Sequence, residues 1–221
     1  MSLTAADGTV FAAYRAIPSR PVGKSVIILP DVRGLHPFYE QLAERCAQAG
    51  FASVVIDQYG RTAGNSVREV DFDWRQHLPS VRPEHVDADA AAAARFLRGL
   101  TADPVFTIGF CFGGGHSWRL AASDLGLAGA IGLYGLPHLV GNMAKGPAAP
   151  LLLLLAGQDD ETPAEEFVEL AVRLRSAGRE YELLVYENAP HSFFDRASTG
   201  CDEICADAWS RILSFIQRHG G

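Results

Sequence analysis

Short apolar runs alternate along this chain with segments whose apolar residues recur every three or four positions. The runs are Val26 to Leu29, Val54 to Ile56, Val105 to Gly109, Ala128 to Leu133, Leu151 to Leu155 and Tyr181 to Tyr186. None alternates strictly between apolar and polar, so each reads as a strand buried on both faces. Between them, Phe38, Leu42 and Cys46 follow helical spacing up to Gly50. Pro83 opens a helix with Val86, Ala90, Ala93, Ala94 and Leu97 on one face, and further helices begin near Phe112, Pro163 and Asp202. The last presents Cys201, Cys205, Ala208, Ile212 and Ile216 together. Thr9 to Ile17 adds a strand after the Asp7-Gly8 turn. Residues 61–83 are polar and Arg-rich and read as a long surface excursion. Strands buried on both faces need helices on both sides. The pattern therefore predicts an α/β fold, a doubly wound and mostly parallel sheet with helices on both faces.

Size and charge narrow the function. The chain has 221 residues, 48% of them apolar and 20% charged, and shows no linker-like shift or internal repeat, so one domain over 1–221 is expected. Nineteen Lys and Arg oppose 26 Asp and Glu, a net charge of −7 with no basic run. Phosphate-led nucleic-acid binding is disfavoured. The apolar stretch Leu151 to Ala156 is too short for a bilayer, and Met1 to Thr4 shows no secretory pattern. Cysteines 46, 111, 201 and 205 form neither a CxxC pair nor a disulfide framework. Reduced thiols and a cytoplasmic location are expected. Cys201 and Cys205 lie on a core face, so packing is favoured over a metal site.

The chemistry gathers at Gly109-Phe110-Cys111-Phe112-Gly113-Gly114, between a strand and a helix. This is a G-x-nucleophile-x-G elbow with cysteine as nucleophile. A tight strand-to-helix turn leaves no room for side chains beside the nucleophile, hence the glycines. It also sets the sulfur at a helix N-terminus, which favours the thiolate, and aims the Phe112 N–H at a developing oxyanion. On such a sheet an acid and then a histidine follow the nucleophile beyond later strands. Asp159 and Asp160 follow the Leu151 run, with Asp159 favoured as the acid, and His191 follows the Tyr181 run. His116, on the helix after the elbow, reads as packing rather than as a base.

These residues resemble the dienelactone hydrolase family of the α/β-hydrolase superfamily. The likeness rests on the cysteine elbow, on Gly157-Gln158-Asp159, on Gly50-Phe51 leading to Asp57-Gln58-Tyr59, and on Ala189-Pro190-His191-Ser192-Phe193. It runs from about Lys24 to the C-terminus. The resemblance implies a Cys-His-Asp triad of Cys111, His191 and Asp159 and no cofactor. It also implies a second oxyanion donor at Val32, in Pro30-Asp31-Val32-Arg33-Gly34. Asp31 stands where the family's founding enzymes carry a glutamate that interacts with the nucleophile. Capping of the following turn is its other reading. Family arginines grip a substrate carboxylate; Arg33, Arg61, Arg75, Arg82 and Arg196 are candidates here, and Tyr134 is a candidate pocket residue. Asp57 reads as a loop organiser.

The function expected is hydrolysis of a small ester or lactone through a thioacyl enzyme, by a monomer or homodimer. Two other classes fit the same fold. One is a thiol redox or sensor protein using Cys111. The other is a non-catalytic small-molecule binding module.

Overall fold

Complete burial of β3 (Ser25–Leu29) and β4 (Ala52–Ile56) shows what the apolar runs do: every residue of both strands is buried. The structure, a computed structural model, describes residues 1–20, 23–66, 68, 71–100, 104–141, 143, 148–195 and 200–221. It divides into two compact units, Met1–Thr107 and Ile108–Gly221.

In the first unit, β1 (Ser2–Thr4), β2 (Val10–Ala16), β4 and β3 lie side by side in that order. β3 and β4 pair in parallel, from Ser25 opposite Ala52 to Ile28 opposite Val55, while β1 and β2 join as antiparallel strands. The three-residue β1 is too short to show a period, and sequence reading passes over it. Helix α1 (Pro37–Gln48) starts with proline at its first position, and the His36 ring accepts the Phe38 N–H at 3.2 Å. Gly50, at φ 94°, takes a left-handed conformation just after the helix. The 61–83 excursion holds the four-residue α2 (Gly60–Ala63) and two 3-10 turns, Trp74–Gln76 and Leu78–Ser80. Helix α3 (Pro83–Leu100) packs against β4 and buries Val86, Ala90, Ala93, Ala94 and Leu97. Alanines there let the helix approach closely.

The second unit takes in the last half of β5 (Val105–Phe110), followed across the sheet by β6 (Gly129–Leu133), β7 (Leu151–Gln158) and β8 (Tyr181–Pro190). β6 pairs in parallel with β7, and β7 with β8. Between them in sequence come α4 (Phe112–Leu120) and α5 (Ala164–Ser176), and α6 (Asp202–His219) closes the chain. Leu151, Leu153 and Leu155 of β7 meet Phe167, Leu170 and Leu174 of α5 and Trp118 of α4 in one core. Helix α6 buries Ala208, Ile212, Phe215 and Ile216, while Cys205 is only half-buried and its thiol donates to the Phe193 carbonyl.

β8 departs from the sequence reading. It is not an apolar strand sealed on both faces; most of its residues are half-buried or exposed. It also continues past Tyr186 to Pro190, across a pairing irregularity at Ala156/Gln158. As the outer strand it has a neighbour on one side only, so its polar end stays paired without needing an apolar signature.

Candidate active site

The elbow is built by steric necessity. Cys111 sits at φ 50°, ψ −114°, a strained conformation for a side chain that is not glycine. Its N–H donates to the Leu133 carbonyl at 3.0 Å, and its own carbonyl accepts the Gly115 N–H at 3.1 Å. The turn closes so tightly that a Cβ on Gly109 would lie 2.0 Å from the Gly113 oxygen. Gly109→Ala is therefore expected to cost about 3 kcal/mol of stability, because backbone must move to admit the methyl. A urea titration unchanged from wild type would contradict this.

Cys111 immediately precedes α4, so the Phe112 N–H is the first of the helix donors that lack an intrahelical acceptor. The Phe112 ring packs edge-on against His116, centroids 4.5 Å apart. His116 is buried, and burial with the nearby positive charges of Arg119 and His138 pushes its pKa down to about 3. Arg119 donates to its Nδ1 at 3.2 Å. It is a neutral packing residue.

Asp159 follows the last residue of β7, and His191 follows the last residue of β8. His191 Nδ1 lies 2.9 Å from both carboxylate oxygens of Asp159. A carboxylate only accepts, so Nδ1 carries a proton toward Asp159 and Nε2 is the ring nitrogen that Asp159 does not engage. Asp159 Oδ1 also accepts the Glu161 and Thr162 N–H groups at 3.0 and 3.1 Å, which fixes the carboxylate before the imidazole arrives. Asp160 is exposed. Adjacent aspartates are equivalent in sequence, and only the loop's curl separates them.

His191 Nε2 is buried and makes no hydrogen bond among the described residues. Burial works to lower the His191 pKa, but the Asp159 hydrogen bond and the charges of Cys111 and Asp159 outweigh it and push the value up to about 10. Cys111 and Asp159 thus both act on the one imidazole. An imidazolium beside the sulfur favours thiolate. Iodoacetamide at pH 6 is expected to label Cys111 first, and His191→Asn to slow that labelling at least about tenfold. Cys46 is a built-in contrast, since burial pushes its thiol up to about 12. Equal labelling rates in wild type and variant, read by peptide mass, would count against the pairing.

Tyr134 does something sequence could not show. It is 2% exposed, sits at φ 37°, and its ring lies 5.0 Å from the His191 ring and 5.3 Å from Phe193. It packs against the histidine ring, tilted to it by 59°. The only advance signal was its place at the end of β6.

In the first unit, the Asp31 carboxylate accepts the Arg33 N–H at 2.8 Å and the Arg33 guanidinium at 2.7 to 3.1 Å. The Val32 carbonyl accepts the Tyr59 hydroxyl at 2.5 Å, and the Gln58 amide donates to the Asp31 carbonyl. Asp31 thus caps its own turn and engages Arg33. Arg61 holds Asp7 and the buried Asp89, Arg75 lies over Trp74, and Arg82 sits near Glu84 on the surface. Asp57 accepts the Leu35 N–H and the buried Arg68, which itself donates to the Ala63 and Gly64 carbonyls. Sequence reading passed over Arg68. Arg196 lies outside the described residues. Among the described residues no group of three His, Cys, Asp or Glu side chains could hold a metal, and no helix is long and apolar enough to cross a membrane.

Comparison with known proteins gives a consistent answer. The dienelactone hydrolase family matches residues 11–220. A Yersinia pestis protein with the provisional name carboxymethylenebutenolidase is 28% identical, over 97% of this chain and 86% of its own. A crystal structure of a provisionally named dienelactone hydrolase from Klebsiella pneumoniae superposes with a TM-score of 0.84 at 26% identity, covering 99% of this chain and 98% of that one. A promiscuous dienelactone hydrolase-like phosphotriesterase from metagenomic libraries gives a TM-score of 0.82 at 21% identity, covering 100% and 98%, and bears on fold alone. The fold is that of the α/β-hydrolases, mostly parallel in its strands.

Proposed function

This chain belongs to the dienelactone hydrolase family, and from that premise we propose that it cleaves a small carboxylic ester or lactone with Cys111 as nucleophile, His191 as proton carrier and Asp159 as the orienting acid. It is a hydrolase by family, and the whole chain, matched from 11 to 220, is taken as one hydrolase domain. One observation carries the assignment of roles: His191 is locked to Asp159 through Nδ1, while its buried Nε2 is left for the nucleophile.

Burial works to lower the His191 pKa, but its interactions with Asp159 and Cys111 raise it and favour a protonated imidazole. His191 takes up the Cys111 proton as the sulfur becomes the attacking thiolate. The sulfur adds to the carbonyl carbon, and the carbonyl oxygen takes the negative charge against the Phe112 N–H. Val32 N–H is the second donor that the family resemblance implies. Collapse of the adduct breaks the acyl C–O bond. His191 Nε2 gives its proton to the departing alkoxide or enolate, leaving a thioester and a neutral imidazole. That imidazole then takes a proton from water as the oxygen attacks the thioester. Thiolate leaves, the acid product departs, and the resting pair returns. Asp159 keeps the ring oriented throughout.

A thiolate is itself a good leaving group, so partition of the first adduct favours substrates whose own leaving group is at least as good. Activated esters and enol lactones satisfy this and amides do not. The relatives' butenolidase names point the same way. The test is release of phenolate from a short activated aryl ester and opening of an enol lactone by the wild-type protein. Turnover of one or both is the expected result. Failure on both, with Cys111 still labelled by iodoacetamide, would overturn the reading.

A further inference from the structure

Among the described residues, four of the eight large apolar side chains left exposed come together in one place. Val168 and Val172 of α5 are 64% and 59% exposed, and Leu183 and Val185 of β8 are each 37% exposed. They line a groove of about 550 Å³ between helix and strand. The alternation of β8 explains why the groove is open. Its even-numbered residues face α6, where Tyr186 bonds Asp207 and Glu182 pairs with Arg218. Its odd-numbered residues, Leu183 and Val185, face the other side, and α5 covers β7 rather than β8 there.

We propose that a second copy of this chain covers the groove, with α5 packed antiparallel against α5 about a two-fold axis. A two-fold contact must be self-complementary. An axis crossing α5 at Leu170 exchanges Val168 with Val172, and Glu165 with Arg175, because each pair is equidistant from that residue. All four side chains are exposed. The exchange therefore sets valine on valine at the centre and carboxylate on guanidinium at both ends. An acidic first turn and a basic last turn suit any single helix. Two adjacent exposed valines between them do not, since a solvent-facing helix surface gains nothing from branched apolar side chains. The apolar centre with a charged, complementary rim is the arrangement of a protein interface.

Sedimentation velocity or light scattering across dilution tests this on the full chain. Wild type is expected to be dimeric at about 50 µM. Val168→Glu sets a carboxylate against Val172 of the second copy on both sides of the axis and should leave monomer. Glu165→Arg or Arg175→Glu alone sets like charges together at both ends and should weaken the dimer at least about tenfold. The double swap Glu165→Arg with Arg175→Glu restores both pairs and should restore the dimer. Circular dichroism establishes that each variant is folded. A wild type that stays monomeric, including one whose groove takes a different protein, overturns the proposal. So does a dimer that survives Val168→Glu, or a double swap no tighter than the single variants.

Discussion

Replacing Cys111 by alanine is expected to lower kcat/KM on an activated aryl ester at least about 10⁴-fold, because the step that makes the acyl enzyme loses its nucleophile. The folded state should persist. Alanine keeps the Cβ that the φ 50° backbone already accommodates, and the bonds that hold the turn, to Leu133 and from Gly115, are main-chain bonds. A fall in activity with unchanged unfolding therefore isolates chemistry from structure. Cys111→Ser sharpens the point. A hydroxyl is far less acidic than a thiol, so serine depends more heavily on proton removal by His191 during attack. Serine also withdraws the negative charge that helps hold His191 up to about 10. The serine variant is expected to retain activity between the other two, about 10²-fold below wild type. Mass spectrometry of wild type with a slow ester should find the acyl group on Cys111. Alanine activity above a hundredth of wild type would remove Cys111 from the mechanism.

How much of this was legible in the chain depends on whether the information is local. Gly109 is required by the Gly113 backbone four residues away, so that side of the elbow is written in one short segment, whereas Gly114 is required by the more distant Leu133 and Gly135. The runs at Ile27, Val54 and Leu153 announce strands because burial on both faces demands unbroken apolar sequence. Tyr134 is different. Its contact with His191 spans 57 positions and carries no periodic mark. Asp159 and Asp160 are neighbours of the same chemistry, and the turn that bonds Asp159 to the Glu161 and Thr162 amides distinguishes them. Asp31 had two readings, and its bond to Arg33 appears only when the loop is folded. Polar groups choose partners by geometry, while apolar groups need only be inside. Sequence thus reports layers well and polar pairings poorly.

Asp159→Asn should cost about 10³-fold in kcat/KM, nearly all of it in kcat, because the amide changes the partner of His191 without emptying the space. In wild type the carboxylate accepts three N–H groups, from Glu161, Thr162 and His191. Asparagine offers one acceptor oxygen and turns an NH₂ toward a donor. Either the loop amides or the imidazole must lose its bond, and the ring is released to rotate or to carry its proton on Nε2. Stability adds an independent readout. The His191 pKa rises from 6.5 to about 10 on folding, with Asp159 among its causes. A group raised on folding stabilises the native state fully below its unfolded value, and that contribution is lost as pH climbs through the folded value. Wild-type Tm should therefore decline between pH 6.5 and about 10 from this group. Removing the carboxylate lowers the folded pKa, so the variant should start from a lower Tm at pH 6 and decline less across the same window. Parallel Tm profiles, or a rate within threefold of wild type, would show that Asp159 neither holds the imidazolium nor orients it.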